Sequence, residues 1–208
     1  MIAIPLILAH LATSALGADE PDANPRFRIE ATVLVYDTES GGEDAEIDAG
    51  DVDSLRALLA ANSALETLRL NSGGGSIWAA EEMARIVTDY ELDTEIDGEC
   101  SSSCVRIFLG GAGRRMTRGS KLGLHSRWWA ASDVEGYYER NRETENWDTP
   151  FEFGSWIYKD TQGEVYEDLA YDVRRGVDPG FAIEMHAPRD TMWYPPRADL
   201  EKAGVLRE

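Results

Sequence analysis

Two cysteines enclose three serines at Cys100-Ser101-Ser102-Ser103-Cys104, and an apolar run over 105–109 follows at once. Upstream stands Asn71-Ser72-Gly73-Gly74-Gly75-Ser76, a turn with almost no side-chain bulk. Downstream, Leu122-Gly123-Leu124-His125 carries an apolar stretch to one of the chain's three histidines. These types in this order are the parts of an acyl-transfer site. Unhindered glycine amides can donate to an oxyanion, a serine hydroxyl can attack a carbonyl, and a histidine can take the serine's proton. Beyond the first 18 residues the candidate bases are His125 and His186. No single segment is specific: Gly73-Gly74-Gly75 lacks the lysine of a P-loop and makes no GxGxxG, and serine runs commonly serve as caps. Order and spacing together carry the signal.

Such groups need regular elements to hold them. Residues 27–36 alternate and carry Val33, Leu34 and Val35, which predicts a strand, and 37–48 is an acidic, glycine-bearing loop. A helix then opens near Asp51-Val52-Asp53-Ser54, with Leu55, Leu58 and Leu59 on one face and Asp51 or Asp53 as its cap. A short strand over 65–70 runs straight into the glycine turn. Ile77, Ala80, Met83, Ile86 and Val87 recur at helical spacing over 76–90. A strand at 92–96, the serine segment and an apolar helix follow. Strand and helix alternating in this way predict parallel strands joined by crossover helices. Strands that end in small residues and feed helix starts deliver unpaired amides to one point. After a turn at 110–115 and a strand at 122–125 comes an aromatic, charged excursion holding Trp128, Trp129, Tyr137, Tyr138 and Trp147. Helices over 154–173, 177–185 and 196–206 close the chain, the last with Leu200, Ala203 and Val205 inward.

A chain of 208 residues with 43% hydrophobic content can bury the core of one domain, placed at 27–208 with an insertion at about 127–150. The first 18 residues bear no charge and end in small side chains, which reads as a signal peptide cut after Gly17 or Ala18, with a polar linker over 19–26. A membrane anchor is the rival reading, although Pro5, His10 and the short length fit it poorly. Export favours a disulfide between Cys100 and Cys104 that shapes the serine loop, against two buried free thiols. With 39 acidic and 20 basic residues the net charge is −19, which disfavours nucleic acid and anionic lipid as partners. It suits either a cationic peptide partner or simply a solvated acidic coat.

The four segments at 70–75, 98–104, 108–115 and 122–125 together resemble the exported proteins related to the proteolytic subunit of Clp protease, within the ClpP/crotonase superfamily. The similarity covers about 45–126, and the closing helix weakly. It implies an α/β fold, a ClpP/crotonase-like spiral of strand-strand-helix units with a mainly parallel sheet. It also implies Ser102 as nucleophile, being the middle residue between the cysteines, His125 as base, and Gly74, Gly75 and Ser103 as oxyanion donors. Where Clp-type enzymes carry a third, acidic member this chain has Arg207. Asp190, Asp199 or an acid of the insertion would substitute, or the site is a Ser-His dyad. The implied activity is that of a periplasmic or secreted serine peptidase that needs no metal or organic cofactor, and the family's rings and stacked trimers imply a homo-oligomer. The alternative is a binding or scaffold module that has kept the fold and lost catalysis, with the aromatic excursion as contact surface. An acyl-CoA enzyme of the crotonase branch would want a basic patch and a cytosolic address, which the leader and the charge oppose.

Overall fold

The structure is a computed structural model describing residues 24–41 and 46–207. The proposed leader at 1–18 and most of the linker lie outside the described residues.

The first predicted strand is a hairpin, β1 (Phe27–Glu30) and β2 (Val33–Asp37), paired antiparallel around Ala31, whose φ of 57° lets the chain reverse. From there the pairings between the strands named below are parallel. β2 lies beside β3 (Thr67–Ser72), β3 beside β4 (Asp93–Ser101), and β4 along one edge beside both β5 (Arg114–Met116) and β6 (Lys121–Gly123). The crossovers are helices α1 (Ala49–Ala61), α2 (Ile77–Asp89) and the short α3 (Cys104–Leu109). An α/β fold with a mostly parallel, mixed sheet therefore stands.

Asp48 caps α1, accepting from the Gly50 amide at 2.7 Å, so neither Asp51 nor Asp53 is the N-cap. Asp51 is fully buried instead, receiving Tyr36 Oη at 2.7 Å and Arg26 Nη1 at 2.8 Å. Burial first, and then the bond to Asp51, push the Tyr36 phenol far above its ordinary range. Along α2, Ala80, Met83, Ile86 and Val87 are buried against the sheet as the spacing predicts, but Ile77 is partly exposed at a cavity mouth.

β4 runs five residues beyond the predicted strand end. Leu70 lies opposite Ile96 and Ser72 opposite Cys100, so β4 holds extra residues between these pairs. Asn71 fills the irregularity: its side chain donates to Asp37 at 3.0 Å and accepts from the Glu99 amide at 3.0 Å. This extension lets the upper half of β4 pair with β6, Ser101 opposite Gly123. Three neighbouring parallel strands, β3, β4 and β6, thus end together, the usual place for a site in an open parallel sheet.

The remaining helices are α4 (Ala131–Asn141), α5 (Pro150–Arg174), α6 (Pro179–Met185) and α7 (Arg197–Lys202). α5 starts earlier than predicted, because Thr149 and Glu152 form a capping box and Pro150 suits the first turn. Leu200, Ala203 and Val205 are buried, although the closing helix is shorter than expected. Arg114, assigned to a turn by sequence, is a fully buried β5 side chain. It donates to the carbonyls of Leu109 (3.1 Å), Arg175 (2.9 Å) and Gly204 (2.7 Å), tying α3, α5 and the chain end together. Burial, followed by the neighbouring Arg207 and Arg175, lowers its guanidinium to about 10. The excursion divides: Tyr137, Tyr138 and Trp147 pack with Phe153 and Trp156 into a small second core, whereas Trp128 and Trp129 are exposed. Among the described residues no helix is long and apolar enough to cross a membrane.

Candidate active site

Each of the three strand ends delivers one part of the site. β4 ends at Ser101, and Ser102 follows with φ 56°, a left-handed conformation that non-glycine residues avoid at a cost of about 1–2 kcal/mol. Three constraints impose it. The Ser102 amide donates to the Gly123 carbonyl at 3.0 Å, α3 begins at Cys104, and the Cys100–Cys104 disulfide, with Cα atoms 5.3 Å apart, closes the loop. Both cysteines are fully buried, so the bridge is part of the core. Strain held by surrounding structure at a nucleophile-bearing turn is a recurring mark of function.

β6 leads through Leu124, whose backbone pairs with Trp193, to His125. His125 Nε2 lies 2.8 Å from Ser102 Oγ, and Nδ1 lies 2.9 Å from the Ser126 carbonyl. A carbonyl can only accept, so Nδ1 carries the proton and Nε2 is left to accept from the serine hydroxyl. That is the tautomer a general base needs. Ser126 is itself pinned, its hydroxyl donating to the Arg189 carbonyl at 2.7 Å and accepting the Arg189 amide at 2.9 Å.

β3 ends at Ser72 and passes into the glycine turn. Gly74 (φ 110°) packs so closely on the serine loop that a methyl group on its Cα would fall 2.8 Å from Ser102 Cβ and 2.9 Å from the Ser101 carbonyl. The turns are also bonded, Ser103 Oγ donating to the Gly75 carbonyl at 3.1 Å. The three expected amide donors are not equivalent. The Gly74 amide donates to Ser72 Oγ at 3.2 Å, whereas among the described residues the Gly75 and Ser103 amides meet no acceptor. The latter two are free to receive an oxygen.

Neither expected substitute for the third member bonds the imidazole. Asp190 shares a groove with His125 without a hydrogen bond to its ring. Asp199 sits in the first turn of α7, outside the cavities that His125 lines, and Arg207 pairs with Arg114 on β5. A carboxylate does stand behind a histidine, but it is the other one: Asp172 Oδ2 lies 2.8 Å from His186 Nε2. Both histidines line one cavity of about 400 Å³ together with Ser102 and Ser103. The sequence offered no sign of this pair, since α5 and α6 meet only through tertiary packing. A second unforeseen feature is Glu99, which accepts Ser101 Oγ (2.6 Å) and Tyr194 Oη (2.8 Å) and pairs with Lys121 (2.7 Å). Burial alone would raise its carboxyl, but the three donors together outweigh it and hold Glu99 below its ordinary value.

No family model matches the chain, and no curated protein matches it by sequence. Among solved structures it is similar to ClpP1 from Listeria monocytogenes, solved as a point mutant, with a TM-score of 0.50 at 14% identity over 77% of this chain and 84% of that one. The fold is ClpP-like. At that identity the likeness speaks for architecture alone. Within the ClpP-like frame it is the strand ends of this chain, and not a shared sequence, that set serine, imidazole and free amides side by side.

Proposed function

We infer that the chain is a serine hydrolase of ClpP-like fold that cleaves peptide bonds through Ser102 and His125. The observation that carries this reading is the 2.8 Å contact between Ser102 Oγ and His125 Nε2, beside two amides without acceptors. His125 takes the hydroxyl proton as Ser102 Oγ adds to the substrate carbonyl. The Gly75 and Ser103 amides, with Gly74 backing the turn, receive the oxyanion. His125 then returns the proton to the leaving amine, and water, deprotonated by the same imidazole, releases the acyl group. The Ser126 carbonyl sets the tautomer but brings no full negative charge to steady the imidazolium, so turnover below that of a full triad belongs to the proposal.

The finer parts of this reading are a spiral of strand-strand-helix units, a leader removed on export to the periplasm or medium, self-association, and a peptide or protein substrate. The buried disulfide supports an oxidising compartment. The test is labelling with a serine-directed fluorophosphonate. Wild type takes the label, and Ser102→Ala loses both label and peptide hydrolysis while melting as a folded protein. Should wild type stay unlabelled under conditions where it is folded and oxidised, the hydrolase reading fails and a binding module of the same fold takes its place.

A further inference from the structure

The cavity beside Ser102 is lined by two chemically different sets of residues. Ile77, Ala80, Val105, Leu109 and Met185 supply apolar surface. Into the same cavity α5 presents Glu164, Asp168 and Asp172, spaced by four and so stacked on one helix face. These three carboxylates are compensated unequally. Asp168 meets two guanidiniums, Arg106 Nη1 at 2.9 Å and Arg127 Nη2 at 2.8 Å, and Glu164 shares Arg127 at 3.5 Å. Asp172 is only 4% exposed, and among the described residues its ion-pair partner is His186 alone. An imidazole is a cation over only part of the pH range. Four carboxylates line the cavity, these three and Glu81, against the guanidiniums of Arg106 and Arg127, so that with all four ionised and the histidines neutral there are two negative charges in excess. A desolvated carboxylate in apolar surroundings gains most from a permanent cation that arrives with a ligand.

We propose that this recess is a specificity subsite for a cationic side chain, lysine or arginine, next to the bond that Ser102 attacks, with the Asp172–His186 pair as the recognising group. The proposal rests on the hydrolase reading of Ser102 and His125. The apolar walls cover the methylene stem of such a side chain, and its charged head takes the Asp172 carboxylate. With Nε2 of His186 engaged by Asp172, Nδ1 of a neutral His186 is left as an acceptor for a second donor of the same head group. The net charge of −19 draws cationic peptides toward the molecule, but only the recess discriminates at short range.

Two fluorophosphonates of equal length, one ending in an ammonium group and one in a methyl group, decide the matter through their labelling rates. The cationic probe is expected to label wild type at least about tenfold faster, and the ratio to persist at about 0.5 M salt, where long-range steering is screened. Asp172→Asn, which keeps the size of the side chain, brings the ratio toward one. Equal rates in wild type, a faster neutral probe, or a ratio that vanishes with salt overturns the subsite and leaves the hydrolase standing. A ratio unchanged in Asp172→Asn removes Asp172 as the recognising group. Absence of labelling by either probe removes the reaction and the subsite with it. The wild-type measurements decide even where the variant does not fold.

Discussion

Ser102 holds a backbone conformation that costs free energy, and the site depends on it. With φ at 56° the hydroxyl leaves the line of β4 and meets His125 Nε2. Alanine at this position keeps the strain and removes the hydroxyl, whereas glycine removes both. Ser102→Gly is therefore expected to be more stable than Ser102→Ala by about 1 kcal/mol in urea unfolding, with both unlabelled by fluorophosphonate. Equal stability of the two variants would show that the left-handed turn is not held against its preference. Gly74 belongs to the same contact: a side chain there has neither the backbone conformation nor the space, and so the turn is built from glycine. These requirements were legible, since a run of glycines facing a run of serines announces backbones that approach closely. The sorting of the amides was not legible, because whether Gly74, Gly75 or Ser103 is left without an acceptor depends on where the Ser72 hydroxyl turns.

Among the elements, the extended end of β4 carries the serine and is fixed from its far side by Glu99. This carboxylate gathers Ser101, Tyr194 and Lys121, joining β4, β6 and the returning segment near Trp193. Its folded-state value lies below the ordinary 4.5. An acid so depressed lends stability that is present above its unfolded value and is lost as pH falls through the folded one. Glu99→Gln is therefore expected to lower the melting temperature at pH 7, with the gap to wild type closing below about pH 4.5. A gap that is constant with pH would mean that shape, and not charge, holds the strand end. Asp172 behaves in the opposite sense: burial raises its carboxyl despite the bond from His186, so ionisation there costs stability as pH rises through its folded value. The disulfide serves the same strand end. A five-residue loop restricts the unfolded chain by only about 2 kcal/mol, so holding the serine turn is the more telling consequence.

At the scale of the molecule two cores divide the work. The main one binds the sheet to its crossover helices, and the smaller one, Tyr138, Trp147 and Phe153 with Tyr137 and Trp156, fixes α4 against the first half of α5. The Trp147 ring lies 4.8 Å from Phe153 and 5.0 Å from Trp156, centroid to centroid. Trp147→Ala is expected to cost this unit about 3–5 kcal/mol, seen as faster amide exchange through α4 and the start of α5 while the sheet keeps its protection. Uniform loss of protection would show a single cooperative core. The second half of α5, which lines the cavity beside Ser102, is held instead by the main core, through Leu169, Tyr171 and the pairing of Asp168 with Arg106 and Arg127. The sequence by itself determined the alternation of strand and helix, the meeting of a glycine turn with a serine turn, and the choice of His125 over His186 once the resemblance was weighed. Hydrophobic period and small-residue runs are local properties, written wherever a segment must be buried or must turn. Only the tertiary structure decided that β4 outruns its apolar pattern, that Arg114 is buried, and that a carboxylate, Asp172, stands behind His186 rather than His125. Those outcomes depend on partners far apart in the chain, β6 and Asn71 for β4, the Arg175 and Gly204 carbonyls for Arg114, and α6 against α5 for His186, and a side chain that meets its partner across the fold leaves no period in the sequence.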